Sequence, residues 1–257
     1  MQKLSDRSLN DFNEDHPETN FWTDGIKVFN QKTLLRGANP KTFIYDGIFA
    51  KDDRKCFCGE NWLKDADVDT FEPLNYTYAI DKNNVYTITG KVKDADIATF
   101  KVLDDGKSLL GYNRIGIPEY TFYSYVKDKN NVYYHNYEGK PKVIKNADGD
   151  TFISLYDGYF AKDKNYVYGN GKIIKNADVK SWDTLSEIPN SYYSKDSKRI
   201  FYGFWEIKAD YETFELEIPE KAKSVEYQLA KDKDNFYRNG EIISKEDFEK
   251  YSSKADR

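Results

Sequence analysis

The sequence predicts an all-β protein built as a tandem array of about seven β-hairpin units, ended by a short C-terminal helix. Three observations carry that expectation. An aspartate followed four and five residues later by an apolar–aromatic pair occurs seven times, at Asp24, Asp52, Asp81, Asp128, Asp163, Asp196 and Asp232. A second box, A-[DN]-x-x-[TS]-[FW], closes six of these units, at 38–43, 66–71, 95–100, 147–152, 177–182 and 209–214. Aromatic residues make up 16% of the chain, mostly Tyr (22) and Phe (16), which favour strands and are scarce in disordered chains. Self-similarity at a period of about 30 residues marks a repeat architecture.

The chain opens with twenty polar residues, MQKLSDRSLNDFNEDHPETN, which read as an arm or cap (1–20) without the apolar core of a leader peptide. The seven-unit domain spans 21–243. Unit five shows its logic. Tyr159-Phe160-Ala161-Lys162 is a short strand, and Asp163-Lys164-Asn165 a turn whose Asp accepts backbone N–H groups just ahead. Val167-Tyr168 returns, Asn170-Gly171 turns the chain again, and Lys172-Ile173-Ile174 follows. The box reads as one helical turn with its Asp as N-cap and its aromatic in the core. Phe71, Phe100, Phe152, Trp182 and Phe214 are accordingly expected to be buried at unit junctions. An open, twisted array is favoured over propeller-like closure, because propeller blades take about 40 residues and four strands. Residues 244–257 form a capping helix and tail, with Ser244 as the cap.

The runs Asp81-Lys82-Asn83-Asn84-Val85-Tyr86, Asp128-Lys129-Asn130-Asn131-Val132-Tyr133-Tyr134 and Asp163-Lys164-Asn165-Tyr166-Val167-Tyr168 resemble a family of bacterial proteins named after its D-K-N-Y-Y motif. The resemblance covers 21–251. Units one and two depart from it (Asp24-Gly25-Ile26-Lys27, Asp52-Asp53-Arg54-Lys55). The motif marks a family and brings no activity with it.

Seven copies of one residue are scaffold rather than seven active sites. Function is expected where units break the pattern. The interval from Asp81 to Asp128 is 47 residues, against 28 and 29 for the two before it. The surplus, around 104–118, carries Leu109, Tyr112 and Arg114. A longer turn holds Tyr137, and Gly203-Phe204-Trp205 replaces an Asn-Gly turn. Leu109, Tyr112, Arg114, Tyr137 and Trp205 are the expected partner-binding residues, since apolar and Arg side chains suit an interface core. On this reading residues 104–116 can be removed without loss of stability.

The chemistry of catalysis finds little support. There are two histidines, His16 and His135, and no G-x-S-x-G, Walker-type loop or H-E-x-x-H. Cys56 and Cys58 lack a second metal-binding pair, and lysines interrupt the Asp turns that calcium would need. No enzyme activity, no metal and no cofactor are expected. Net charge is −5 with pI near 5.3, which argues against a nucleic-acid binder and is compatible with a basic protein partner. The expectation is a cytoplasmic protein-binding module with no membrane contact, of the inhibitor or immunity type found in bacteria or phage. A carbohydrate or cell-wall binder is the alternative, and it requires exposed, aligned rings. Oligomeric state stays open.

Overall fold

In unit five the strand Phe160–Lys162 pairs antiparallel with Val167–Gly169, and Lys172–Ile173 adds on the far side. Asn170 and Gly171 both take positive φ (50° and 70°), the geometry whose twist matches a tight hairpin. A fourth strand, Ile153–Leu155, comes from the stretch after the preceding box and pairs with Phe160–Lys162. Six of the seven repeats therefore build a four-stranded meander rather than a bare hairpin. The extra strand is two or three residues long, too short to show alternation, and its partner lies in the next unit.

The computed structural model describes residues 1–3, 21–112, 118–136, 138–155, 158–185, 192–217 and 228–255. Among these, seven successive sheets and one separate two-stranded hairpin account for the strands. Sheet one has three strands (Phe21–Thr23, Val28–Asn30, Thr33–Leu34), and sheets three to seven have four each. Sheet two has five, because Gln2–Lys3 at the start of the N-terminal arm adds to Ile44–Asp46. The four-strand count is that of a propeller blade; among the described residues the sheets are separate and close into no barrel.

The repeat motif is a set of junction contacts. The Asp163 carboxylate accepts Asn165 and Tyr166 backbone N–H through Oδ1 (2.7 and 2.8 Å). Through Oδ2 it accepts the Asp148 N–H of the preceding box (2.7 Å) and the Tyr168 hydroxyl (2.8 Å). The next residue, Lys164, donates its N–H to Thr151 and places its ammonium 2.5 Å from Asp148. Units three, four and seven repeat all of this with Asp81, Asp128 and Asp232. Unit six has Phe201 where the hydroxyl would be, and the Arg199 guanidinium donates to Asp196 instead. Each box Asp caps a single turn as expected: Asp67, Asp96, Asp148 and Asp210 accept from the Thr three residues on.

Five buried clusters lie between consecutive units. Phe71, Phe152 and Trp182 are buried there, while Phe100 and Phe214 are half-buried against their clusters. Cys56 and Cys58 are free thiols inside the cluster of units two and three, and burial pushes both up to about 12, so neither is a thiolate at neutral pH. The helix α1 runs Lys245–Ala255, its start capped by Ser244, which accepts the Asp247 N–H (3.1 Å). Its Phe248 is buried beside Phe236, with ring centroids 4.8 Å apart.

Candidate functional site

The largest insertion folds as a hairpin of its own. Ser108–Tyr112 pairs with Pro118–Thr121, with a register shift between Leu109 and Gly111, and neither strand joins another sheet. At its base Tyr76 and Phe122 stack (5.3 Å, 25°), Tyr120 lies 6.3 Å from Tyr76, and the Lys107 ammonium sits 4.6 Å above the Tyr120 ring. Of these groups Tyr76 and Lys107 line a cleft of about 520 Å³, together with Asp46, Asn75, Asp104 and Asp105.

Asp104 is the hub beneath the hairpin. Its carboxylate accepts from Gly106 N–H (3.0 Å), Tyr125 N–H (2.7 Å), and the Ser124 and Ser154 hydroxyls (2.7 Å each). Burial raises its pKa, and these four donors work against the rise. Asn75 donates to the Asp104 carbonyl and to Ser124, and Thr77 donates to the Gly106 carbonyl. The Asp104 carboxylate thus ties unit four to unit five, and the Asp104 and Gly106 carbonyls bring in unit three. The expectation that residues 104–116 are dispensable is corrected on this point, because removing Asp104 and Gly106 would strand buried donors in all three units.

Of the five expected binding residues, the described ones fall in two places, the hairpin and the outer strand of sheet six. Leu109 is half-buried on the hairpin opposite Tyr120, and Tyr112 pairs with Pro118 near the hairpin's far end. Arg114 and Tyr137 lie outside the described residues. Trp205 is 46% exposed on the outer strand of sheet six (Trp205–Ile207), where it lines a separate groove. No described contact joins Trp205 to the hairpin.

Two groups here escaped sequence reasoning. His135 lies directly across from Ser124 in sheet four and is 1% exposed. Neither of its ring nitrogens makes a hydrogen bond, nor does the buried hydroxyl of Tyr78, whose ring lies 5.9 Å away. Burial lowers His135 to about 4, and the nearby Gly139 carbonyl, outside hydrogen-bonding geometry, offsets this only in part. Asp104, Ser124 and His135 are the residue types of a hydrolytic triad, but Ser124 donates to the aspartate and His135 bonds to neither. The signal available in the sequence was the unusual polar pair Thr77 and Ser124, standing where units five and six carry Tyr159 and Tyr192.

Among the described residues the structure is a repeat array with one independent two-stranded hairpin beside a cleft lined mainly by polar groups. The DKNYY family model matches residues 49–205, more than half of the chain, and the protein belongs to that family. No curated protein and no solved structure matches it. Among the described residues no helix is long and apolar enough to cross a membrane.

Proposed function

We propose that the chain is a non-catalytic protein-binding module in which the array supports the hairpin and the cleft at its base, and these meet the partner. The observation that carries this is the fold of the insertion. Its strands pair only with each other, so the hairpin adds nothing to the repeat sheets, while its base is fixed rigidly through Asp104. A hairpin anchored at an ordered base suits binding by insertion into a partner's cleft. The narrower reading is an inhibitor or immunity-type protein acting in the cytoplasm of a bacterial or phage-infected cell. The engagement of Ser124 with Asp104 and the low basicity of His135 support a non-catalytic role. The carbohydrate reading needs a row of exposed rings, and the box aromatics are buried or half-buried.

The test is to replace residues 110–119 by Asn-Gly, which closes a two-residue turn on the paired Leu109 and Tyr120 and keeps Asp104, Gly106 and Ser108. Affinity capture from the native cell, followed by mass spectrometry, should lose the partner with the shortened chain while its thermal midpoint stays unchanged. Retained capture would remove the hairpin from the function.

A further inference from the structure

The outermost strands of sheets one, two, four and five carry a further regularity that the aspartate motif does not explain. Leu34, Trp62, Val143 and Ile173 occupy one equivalent position, each paired across the strand with the conserved aromatic of its unit: Phe29, Phe57, Tyr133 and Tyr168. The next residue is buried or half-buried against the core. The one after that is basic in six units: Arg36, Lys64, Lys93, Lys145, Lys175 and Lys208. All six are exposed. In those four units an exposed or half-buried apolar group is followed two residues later by an exposed cation, whereas units three and six hold Lys91 and Glu206 at the apolar position, in a chain whose net charge is −5.

Between units four and six this edge deepens into a groove of about 720 Å³. Its floor and walls are apolar: Val143 (49% exposed), Ile173, Phe204 and Trp205. Its charged lining is Lys145, Lys172 and Lys175, with no carboxylate among the lining residues. Lys172 lies 4.2 Å above the Phe204 ring. The neighbouring Glu206 is already engaged, 3.7 Å from the Arg199 guanidinium and 3.4 Å from the Asn176 amide. At units two and three Asp65 and Asp94 take up basic neighbours (Lys91 and Lys93). At units four and five the residues following the lysines are the neutral Asn146 and Asn176, and among the described residues Lys145 and Lys175 form no ion pair.

We propose that this groove is a second docking site, distinct from the hairpin, for an extended acidic segment of a protein partner that carries an apolar or aromatic anchor side chain. The anchor would lie between Trp205, Phe204 and Val143, and flanking carboxylates would meet Lys145, Lys172 and Lys175. A volume of this size takes the side chains of a short peptide, and apolar anchoring with charged flanks is a common form of peptide recognition. Nucleic acid fits less well, because the lining is dominated by apolar side chains and the chain as a whole is acidic.

The test selects a random displayed peptide library on the full chain and measures the enriched peptides, labelled, by fluorescence polarisation. Enriched sequences should place Asp or Glu beside Trp, Phe or Leu, and affinity should weaken with added salt. The double variant Lys145→Glu, Lys175→Glu should lose about tenfold or more in affinity, the scale set by like-charge juxtaposition, with an unchanged thermal midpoint. Trp205→Ala should weaken the same peptides. The chain shortened at the hairpin should bind them as the wild type does, which separates this site from the proposed hairpin function. The proposal fails if no peptides are enriched, if the enriched peptides are basic or uncharged, or if the double variant binds equally well. It also fails if a single-stranded oligonucleotide binds through these lysines while acidic peptides do not.

Discussion

Acid should reach this fold first through His135. An imidazole with an ordinary value of 6.5, lowered to about 4 by burial, stays neutral in the folded chain while the unfolded chain takes up a proton. Its contribution is fully present above about pH 6.5 and is lost as pH falls toward 4, by at most roughly 3 kcal/mol. Asp104 acts in the opposite sense, because burial raises its carboxyl and neutralisation in acid relieves that cost. For Asp81, Asp128, Asp196 and Asp232 burial works against the charged form, yet backbone N–H donors outweigh it and lower all four. Their stabilisation is therefore lost only as pH falls below the usual 3.8. His135→Phe should flatten the fall of the urea midpoint between pH 6.5 and 4, and a slope that survives the substitution would assign the effect elsewhere. Asp163→Ala strips the partner from four donors at once, and should cost about 3 kcal/mol or more in chemical denaturation.

At the scale of the element, tyrosines three residues before the repeat aspartate stitch one sheet to the next. Tyr125 donates its hydroxyl to the Tyr159 carbonyl (3.0 Å) and accepts the Gly171 N–H (3.0 Å). Tyr193 accepts the Gly240 N–H (2.8 Å) and donates to the Gln228 carbonyl (3.4 Å). Gly171 and Gly240 could hardly be other residues, since an added Cβ would meet the Tyr134 and Tyr202 side chains at 2.4 and 2.6 Å. Tyr78 holds the same place in unit three, but the turn that should receive it has been replaced by the strand carrying His135. Tyr125→Phe and Tyr193→Phe should each cost about 1–3 kcal/mol, whereas Tyr78→Phe should be neutral or stabilising, since its hydroxyl has no partner. Thermal or urea melts of the three variants decide this. The contrast also shows how far the sequence could be read. The turns and the box cap are local, so Asp, Asn-Gly and Thr disclosed them. The strand following each box, the Asp104 hub and the meeting of Tyr78 with His135 join different units, and no single unit's pattern encodes them. Trp205 was legible as a break in the repeat, but the groove it lines is made by two further units.

For the whole molecule, stability in a linear array is the sum of unit terms and nearest-neighbour junctions, and here the junctions are unequal. The cluster spanning units four to six contains fourteen described buried residues, from Tyr123 to Phe201, over two junctions, the same share per junction as the seven between units one and two and between units two and three. The clusters of units three and four and of units six and seven contain five each. Hydrogen bonds reinforce the same region, since Asp104 and Tyr125 tie units three and four to unit five. Local opening draws on the weakest junctions first. Sheets one and seven each have one neighbour where inner sheets have two, so amide exchange should be slowest in Phe160–Lys162 and Val167–Gly169, inside the continuous cluster, and fastest in the two end sheets. Phe152 sits at the centre of the large cluster, its ring 5.4 Å from Tyr125 and 5.2 Å from Tyr168. Phe152→Ala should cost about 3–5 kcal/mol, the usual cost of deleting a core aromatic. Because that loss falls between units four and five, it should also divide urea unfolding into two steps, one for each side of the junction. Phe43→Ala, a comparable deletion between units one and two, should loosen only that end and leave exchange in sheet five unchanged. Uniform loss of protection along the chain in both variants would mean that the array unfolds as one cooperative block, and the nearest-neighbour account would fail.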